Sequence, residues 1–74
     1  MNNKRRKSLL IAINLLEQAL SVINSVKDEE NDSLENIPES LQYGEAYDIM
    51  EQNIDKLEDI SSTIEEISTE LGSL

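Results

Sequence analysis

The second half of the chain repeats apolar residues at the spacing of a helix that packs against another helix. Counted as a heptad from Tyr43, the a positions are Tyr43, Met50, Leu57, Ile64 and Leu71, and the d positions are Ala46, Asn53, Ile60, Ile67 and Leu74. All of them except Asn53 are apolar, and nearly every other position is polar or acidic. A seam with this repeat predicts an amphipathic helix whose apolar side another helix must cover.

The first half predicts a helix with a wider apolar face. Counted from Leu9 as position a, apolar residues fill positions a, d, e and g as far as Val26, which is about four of every seven positions. A second helix covers only part of such a face, and large exposed apolar patches are uncommon on soluble monomers. The alternative is a hairpin monomer that leaves this surface exposed. We expect instead that a second copy of the chain covers it, with a tetramer as a further possibility.

The predicted fold is therefore all-α, an antiparallel two-helix hairpin that pairs in a coiled-coil-like manner into a dimeric four-helix bundle. We expect one domain, residues 1–74, with helix 1 at about 3–35, a loop at about 36–44 and helix 2 at about 45–71. Its core and self-association residues are predicted to be Leu9, Ile13, Leu16, Leu20, Ile23, Met50, Leu57, Ile60, Ile64, Ile67 and Leu71.

The loop is predicted from two residues with known effects on helices. Pro38 disfavours helix at the residue before it, and Gly44 is an acceptable helix N-cap. We expect Leu41 to pack against the end of the hairpin, and Tyr43 and Tyr47 to cap its core.

Composition excludes several kinds of site. The chain has no Cys and no His, so disulfides and zinc sites built from those residues are excluded. No serine has a His or Lys partner at a useful spacing, and the carboxylates fall at solvent-facing positions, away from the settings that general acid–base catalysis uses. Asp28, Glu30, Asp32 and Glu39 have the spacing of a calcium loop, but Ser33 replaces the required glycine. We expect no enzyme activity, no cofactor and no metal.

Charge limits the partners. The net charge is −10, and Lys4, Arg5, Arg6 and Lys7 hold four of the six positive charges. The remaining residues, 8–74, carry two basic and sixteen acidic side chains, a surface that repels nucleic acid and anionic membranes. A basic host protein is the predicted alternative partner, and antiparallel packing is expected to place Lys4–Lys7 beside Glu65, Glu66 and Glu70. The predicted acidic partner face comprises Glu51, Asp55, Glu58, Asp59, Glu65 and Glu66.

The N-terminal segment superficially resembles a signal peptide, because basic residues precede the apolar run Leu9–Ile13. The run is interrupted at Asn14 and Glu17, no small-residue cleavage site follows, and it is far too short to span a bilayer. We therefore expect a cytoplasmic protein.

Asn53 is the one polar residue among the predicted seam positions. A buried Asn there would fix helix register at some expense of stability. In the other interpretation, the helices splay at this point and Asn53 is half exposed.

Three segments carry a resemblance to a known group of proteins. They are Asp28-Glu29-Glu30, Asn36-Ile37-Pro38-Glu39-Ser40-Leu41-Gln42, and the series Met50-Glu51, Ile54-Asp55, Leu57-Glu58 and Ile64-Glu65-Glu66. Together they resemble small acidic proteins of unknown function encoded by phages and prophages of Gram-positive bacteria, over about residues 28–71. Tyr43-Gly44 and Asn53 depart from that pattern. The resemblance implies a mobile-element origin, a helical hairpin and a host-cell cytoplasmic location, but no activity.

Two functional hypotheses follow. In the first, the chain is a self-associating structural or adaptor protein that acts by protein–protein interaction through its apolar face. In the second, it inhibits a host defence protein of the restriction or CRISPR type, because its acidic helix imitates the closely spaced negative charge of DNA.

Overall fold

The computed structural model describes residues 1–74 and contains two α-helices, α1 (Asn3–Glu35) and α2 (Glu45–Gly72). A short 3-10 turn at Glu39–Leu41 lies in the connection, and there is no strand. The two helices pack side by side in opposite directions. The predicted all-α helical hairpin is therefore confirmed.

The helix ends follow from local hydrogen bonding. α1 begins after Asn2, whose side-chain oxygen accepts a hydrogen bond from the backbone N–H of Arg5 at 2.9 Å, as is typical of an N-cap. α2 begins after Gly44, which offers no side-chain cap, but Glu45 and Asp48 occupy its first turn. Carboxylates suit that position because the N-terminus of a helix carries partial positive charge.

The hairpin is a thin rod. It measures 59 × 14 × 12 Å and has a radius of gyration of 17.2 Å, whereas a compact domain of this length would have about 11 Å. No apolar side chain in the chain is buried, and the only buried residue is Ser61, at 6% exposure. The hairpin by itself therefore has a contact seam but no enclosed hydrophobic core.

The seam uses a different pair of heptad positions from the predicted one. On α2 the residues turned toward α1 are Tyr47, Met50, Ile54, Leu57, Ser61, Ile64, Ser68 and Leu71. On α1 the matching series is Leu9, Ile13, Leu16, Leu20, Ile23, Lys27, Glu30 and Leu34. These are the a and e positions of the heptads counted above, and both series keep the alternating three- and four-residue spacing of coiled-coil packing.

The predicted d positions of α2 were wrong as seam positions. Ala46, Asn53 and Leu74 are exposed, and Ile60 and Ile67 remain 47% and 42% exposed. The physical reason is that the apolar surface of each helix is wider than one partner helix can cover, so the hairpin contact uses one edge of it and leaves the other open. Asn53 is exposed because it lies on that open edge.

Two predictions for the connection were also wrong. Leu41 is exposed rather than packed against the hairpin end, and Tyr43 is 93% exposed. The turn Glu39–Leu41 directs both side chains outward, whereas Tyr47, one turn into α2, is half buried at the end of the seam.

The expected pairing of the N-terminal cations with Glu65, Glu66 and Glu70 does not form. Asn24 lies opposite Ser61 and Lys27 opposite Glu58, so this register puts Glu70 at the level of Leu15. Lys7 is about 12 Å further along the rod, given a rise of 1.5 Å per residue. The only ion pair in the hairpin joins Lys27 Nζ and Glu58 Oε2 at 3.3 Å.

α1 is long and apolar enough, by length and composition, to cross a membrane. The run Leu9–Ile13 alone is far too short to span a bilayer, but Glu17 is the only charged residue between Ser8 and Val26, so the apolar stretch is longer than that run. Signal sequences, which lie near the N-terminus, and core helices of soluble proteins have the same length and composition. The finding therefore assigns no location to the protein.

Candidate functional site

The exposed edge of α1 forms a second apolar stripe beside the seam. Its residues repeat with the same three- and four-residue spacing, and most of them are exposed: Ala12, Leu15, Ala19, Val22 and Val26. Each of these residues comes directly before a seam residue in the sequence. The stripe is therefore rotated from the seam by about 100°, the angle between successive residues of an α-helix.

A corresponding stripe on the second helix is made of Ile60 and Ile67 of α2 and Leu74, which lies two residues beyond the end of α2. The three residues are seven positions apart and all are exposed. Ile60 and Ile67 also come directly before seam residues, Ser61 and Ser68. The two helices are right-handed and antiparallel, so the same rotation from their seams turns both stripes to the same side of the hairpin. We call the eight residues of the two stripes the apolar face.

The two stripes are also aligned along the rod. In the register set by the Asn24–Ser61 contact, Ile67 lies at the level of Gln18 and Leu74 at the level of Ile11. Each stripe is about 21 Å long, since it spans fourteen residues at 1.5 Å per residue. The apolar face is therefore one continuous patch over the middle of α1 and the second half of α2.

Acidic residues occupy the opposite side of the hairpin. These residues directly follow seam residues and are therefore rotated the other way; they are Glu17, Asp28, Glu35, Glu51, Asp55, Glu58 and Glu65, and all are exposed. We call them the acidic face. Of the predicted acidic partner residues, four lie on this face, while Asp59 and Glu66 lie on the outer side of α2. The molecule is thus apolar on one side and acidic on the other.

Polar groups lie in the seam at positions that the sequence analysis did not single out. The Ser61 hydroxyl donates a hydrogen bond to Asn24 Oδ1 at 3.0 Å, one turn from the ion pair of Lys27 and Glu58. The hydroxyl of Ser68 is buried without a partner. A sequence signal exists for the two serines, because Ser61 and Ser68 interrupt an a/e series of α2 that is otherwise apolar. Asn24 lies beside the corresponding series of α1, directly after the seam residue Ile23.

Tyr47 closes the loop end of the seam. Partial burial raises the pKa of its phenol above the usual range, and the negative charge and hydrogen bonding of Glu51, with the charge of Asp48, raise it further. The neutral phenol is thereby favoured, which suits a ring that packs against the seam with its hydroxyl at the surface.

The side chains considered for chemistry lie apart from one another or on helical surface. Asp28, Glu30 and Asp32 lie within α1 rather than on a calcium-binding loop. No group of three or more carboxylates is close enough to hold a metal ion. A shallow groove at the open end of the hairpin is lined by Arg6, Leu9, Leu10, Ile13 and Leu71–Leu74, and its lining is mainly apolar.

Comparison of the chain with protein-family models, curated proteins and solved structures found no match. The resemblance to small acidic phage and prophage proteins therefore stays a prediction.

Proposed function

We propose that this protein is a non-enzymatic helical-hairpin protein that acts by protein–protein interaction, and that its first partner is a second copy of itself in a dimeric four-helix bundle. The observation that carries the proposal is the apolar face on a molecule without one buried apolar side chain. A second hairpin laid on this face would enclose the seam residues Leu16, Leu20 and Ile64 and create the core that one hairpin lacks.

The size of the exposed surface supports the same proposal. The hairpin exposes 5717 Å², whereas a compact monomer of 8.4 kDa is expected to expose roughly 4,600 Å². The excess, about 1,100 Å², exceeds the roughly 800 Å² that each partner buries in a typical stable interface. The hairpin therefore exposes enough surface beyond that of a compact monomer to supply one side of a stable dimer interface.

The test is the solution mass, measured by light scattering after size exclusion over a wide range of protein concentrations. We expect a mass of twice 8.4 kDa that falls toward the monomer value only on strong dilution. Apolar association should change little between low and high salt. A folded monomer at all concentrations would refute self-association and leave the apolar face for a different protein.

A second candidate function rests on the acidic face. It lies opposite the apolar face and would remain exposed in a dimer, so it supports the alternative that the protein inhibits a DNA-binding host defence protein by imitating DNA. The charge density of α2 supports DNA mimicry less well than the apolar face supports self-association. α2 carries nine carboxylates, or about one per 5 Å of helix, whereas duplex DNA carries about one charge per 1.7 Å of axis.

Competition with DNA would test this alternative directly. A labelled DNA duplex bound to a purified restriction endonuclease should be displaced by the protein at low salt, and much less at high salt. The variant Glu51→Gln/Glu58→Gln/Glu65→Gln should lose this ability while keeping its solution mass. No displacement at any salt concentration would exclude mimicry for that nuclease class.

A further inference from the structure

The apolar face is nearly symmetric about its own centre. On α1, Leu15 and Val22 lie at equal distances on either side of a point between Gln18 and Ala19, and the stripe ends at Ala12 and Val26 are almost equidistant from it. On α2, Ile67 lies at the same level, with Ile60 and Leu74 one repeat away on each side. A stripe of this kind matches its own reversed copy, as a two-fold interface between identical surfaces requires.

The charged clusters are distributed about the same point. Lys4, Arg5, Arg6 and Lys7 are centred thirteen residues before it, and the acidic run 28–35 is centred thirteen residues after it, about 20 Å in each direction. The basic cluster has no ion-pair partner within its own hairpin. Reversing one α1 along another would bring each basic cluster to the level of the other copy's acidic run.

We propose that the dimer has its two-fold axis perpendicular to the rod, between Gln18 and Ala19, so that α1 packs antiparallel on the partner's α1 and α2 on the partner's α2. This inference rests on the proposed self-association and specifies its geometry. Leu15 then packs on the partner's Val22, and Ala19 and Ile67 each meet their own counterparts near the axis.

One charged pair in each half of the interface is expected to fix this orientation. Arg5 and Glu29 lie at opposite ends of the helical edge that carries the apolar stripe of α1, since Arg5 comes one heptad before Ala12 and Glu29 one heptad after Val22. In the proposed dimer, Arg5 lies within about 5 Å, measured along the axis, of the level of the partner's Glu29. An arginine side chain spans that offset, and the pair occurs twice by symmetry.

The alternative two-fold axis runs along the rod and places α1 on the partner's α2. It would bring Glu29 near the partner's Lys56, but it would also set Leu15 against Glu70 and Val22 against Thr63. It would gather both basic clusters at one end of the bundle and both acidic runs at the other, where like charges repel. The perpendicular axis avoids these mismatches.

Cysteine cross-linking distinguishes the two axes, because the chain has no cysteine of its own. With the perpendicular axis, the full-length variants Ala19→Cys and Ile67→Cys should each form disulfide-linked dimers on mild oxidation, and the control Ser21→Cys, on the acidic side, should not. With the axis along the rod, the two copies of Ala19 would be roughly 13 Å apart, the diagonal of a bundle with 8–10 Å sides, too far for a disulfide. Cross-linking only in a mixture of the Ala19→Cys and Ile67→Cys proteins would overturn the inference.

Charge reversal gives a second, independent test. Arg5→Glu should weaken the dimer roughly tenfold, because a favourable pair becomes a repulsive one at two sites, and Arg5→Glu/Glu29→Arg should restore the affinity. Lys7→Glu, which changes the net charge equally but points to the acidic side, is the matched control. Arg5→Glu places an acid at a helix N-terminus, where it favours helix, so weaker association could not be attributed to unfolding.

The outcomes separate this inference from the proposed function. If the unsubstituted protein has the mass of a monomer, self-association and the inferred axis both fail. If it has the mass of a dimer, but Ala19→Cys does not cross-link and Glu29→Arg does not rescue Arg5→Glu, then only the perpendicular axis is refuted. Self-cross-linking together with rescue would establish it.

Discussion

Two serines in the seam occupy equivalent positions seven residues apart, yet their hydroxyls differ in hydrogen bonding. Ser61 donates to Asn24 Oδ1 at 3.0 Å, whereas the hydroxyl of Ser68 is buried without a partner. A paired buried hydroxyl contributes about 1 kcal/mol to stability, while an unpaired one lowers stability by about 1–3 kcal/mol. The same substitution should therefore have opposite effects at the two positions.

We predict that Ser61→Ala lowers the free energy of unfolding by about 1 kcal/mol and that Ser68→Ala raises it by a similar amount. Ser62→Ala, at an exposed position of the same helix, supplies the reference, because alanine favours helix more than serine at any of these positions. Denaturant unfolding followed by circular dichroism, at one protein concentration, gives the three values. Equal changes for Ser61 and Ser68 would show that their hydroxyls do not differ in this way.

At the scale of helices, the sequence was sufficient to predict the two elements but not which edges of them meet. The long helical periodicities, Pro38 and Gly44 predicted two helices and a connection, and the structure has α1 at Asn3–Glu35 and α2 at Glu45–Gly72. The heptad of α2 has apolar residues at position a, at most d positions and at two of its four e positions, Tyr47 and Ile54. Hydrophobicity alone favoured Ile60 and Ile67 over Ser61 and Ser68 for the seam.

The structure places the serines in the seam because the contact is decided by both helices together. Asn24 accepts a hydrogen bond from Ser61, and Lys27 forms an ion pair with Glu58. The sequence pattern of one helix alone does not indicate these contacts. The larger side chains of Ile60 and Ile67 therefore lie on the apolar face, outside the seam. The candidate site was for this reason only half predictable: self-association was expected from the width of α1, but the contribution of α2 to the apolar face was not.

The start of α2 offers a prediction at the level of the element. Gly44 has φ −84° and ψ 162°, which any residue can adopt, and an added Cβ would lie 3.4 Å from the Leu41 carbonyl oxygen, close to ordinary contact. We predict that Gly44→Ser stabilises the protein by a few tenths of a kcal/mol, because its hydroxyl can cap the free N–H groups of the first turn. Thermal unfolding measures the change. Gly44→Ala adds the Cβ without the acceptor, and an equal gain from alanine would contradict the capping explanation.

For the whole molecule, the absence of a buried apolar side chain links folding to association. A hairpin that gains its core only from a second copy should unfold at a temperature that rises with protein concentration, because dilution removes the partner that stabilises it.

The proposed dimer would also place both acidic faces outward on opposite sides of one rod. The two functional candidates are therefore compatible in one molecule, since one uses the interior of the bundle and the other its exterior.

Two leucines of equal exposure, one on the apolar face and one outside it, provide a matched test of that face. Leu10 and Leu15 are both 60% exposed on α1, but Leu15 belongs to the apolar face and Leu10 is turned toward the acidic side. We predict that Leu15→Glu raises the dissociation constant of the dimer at least a hundredfold, because burial worth about 1.5–3 kcal/mol for a full leucine side chain is lost at two symmetric sites. Leu10→Glu, which adds the same charge, should leave the dimer nearly intact. For Leu15→Glu, the mass measured by sedimentation equilibrium and the helical signal in circular dichroism should fall together. Equal effects of the two substitutions would mean that association does not use the apolar face.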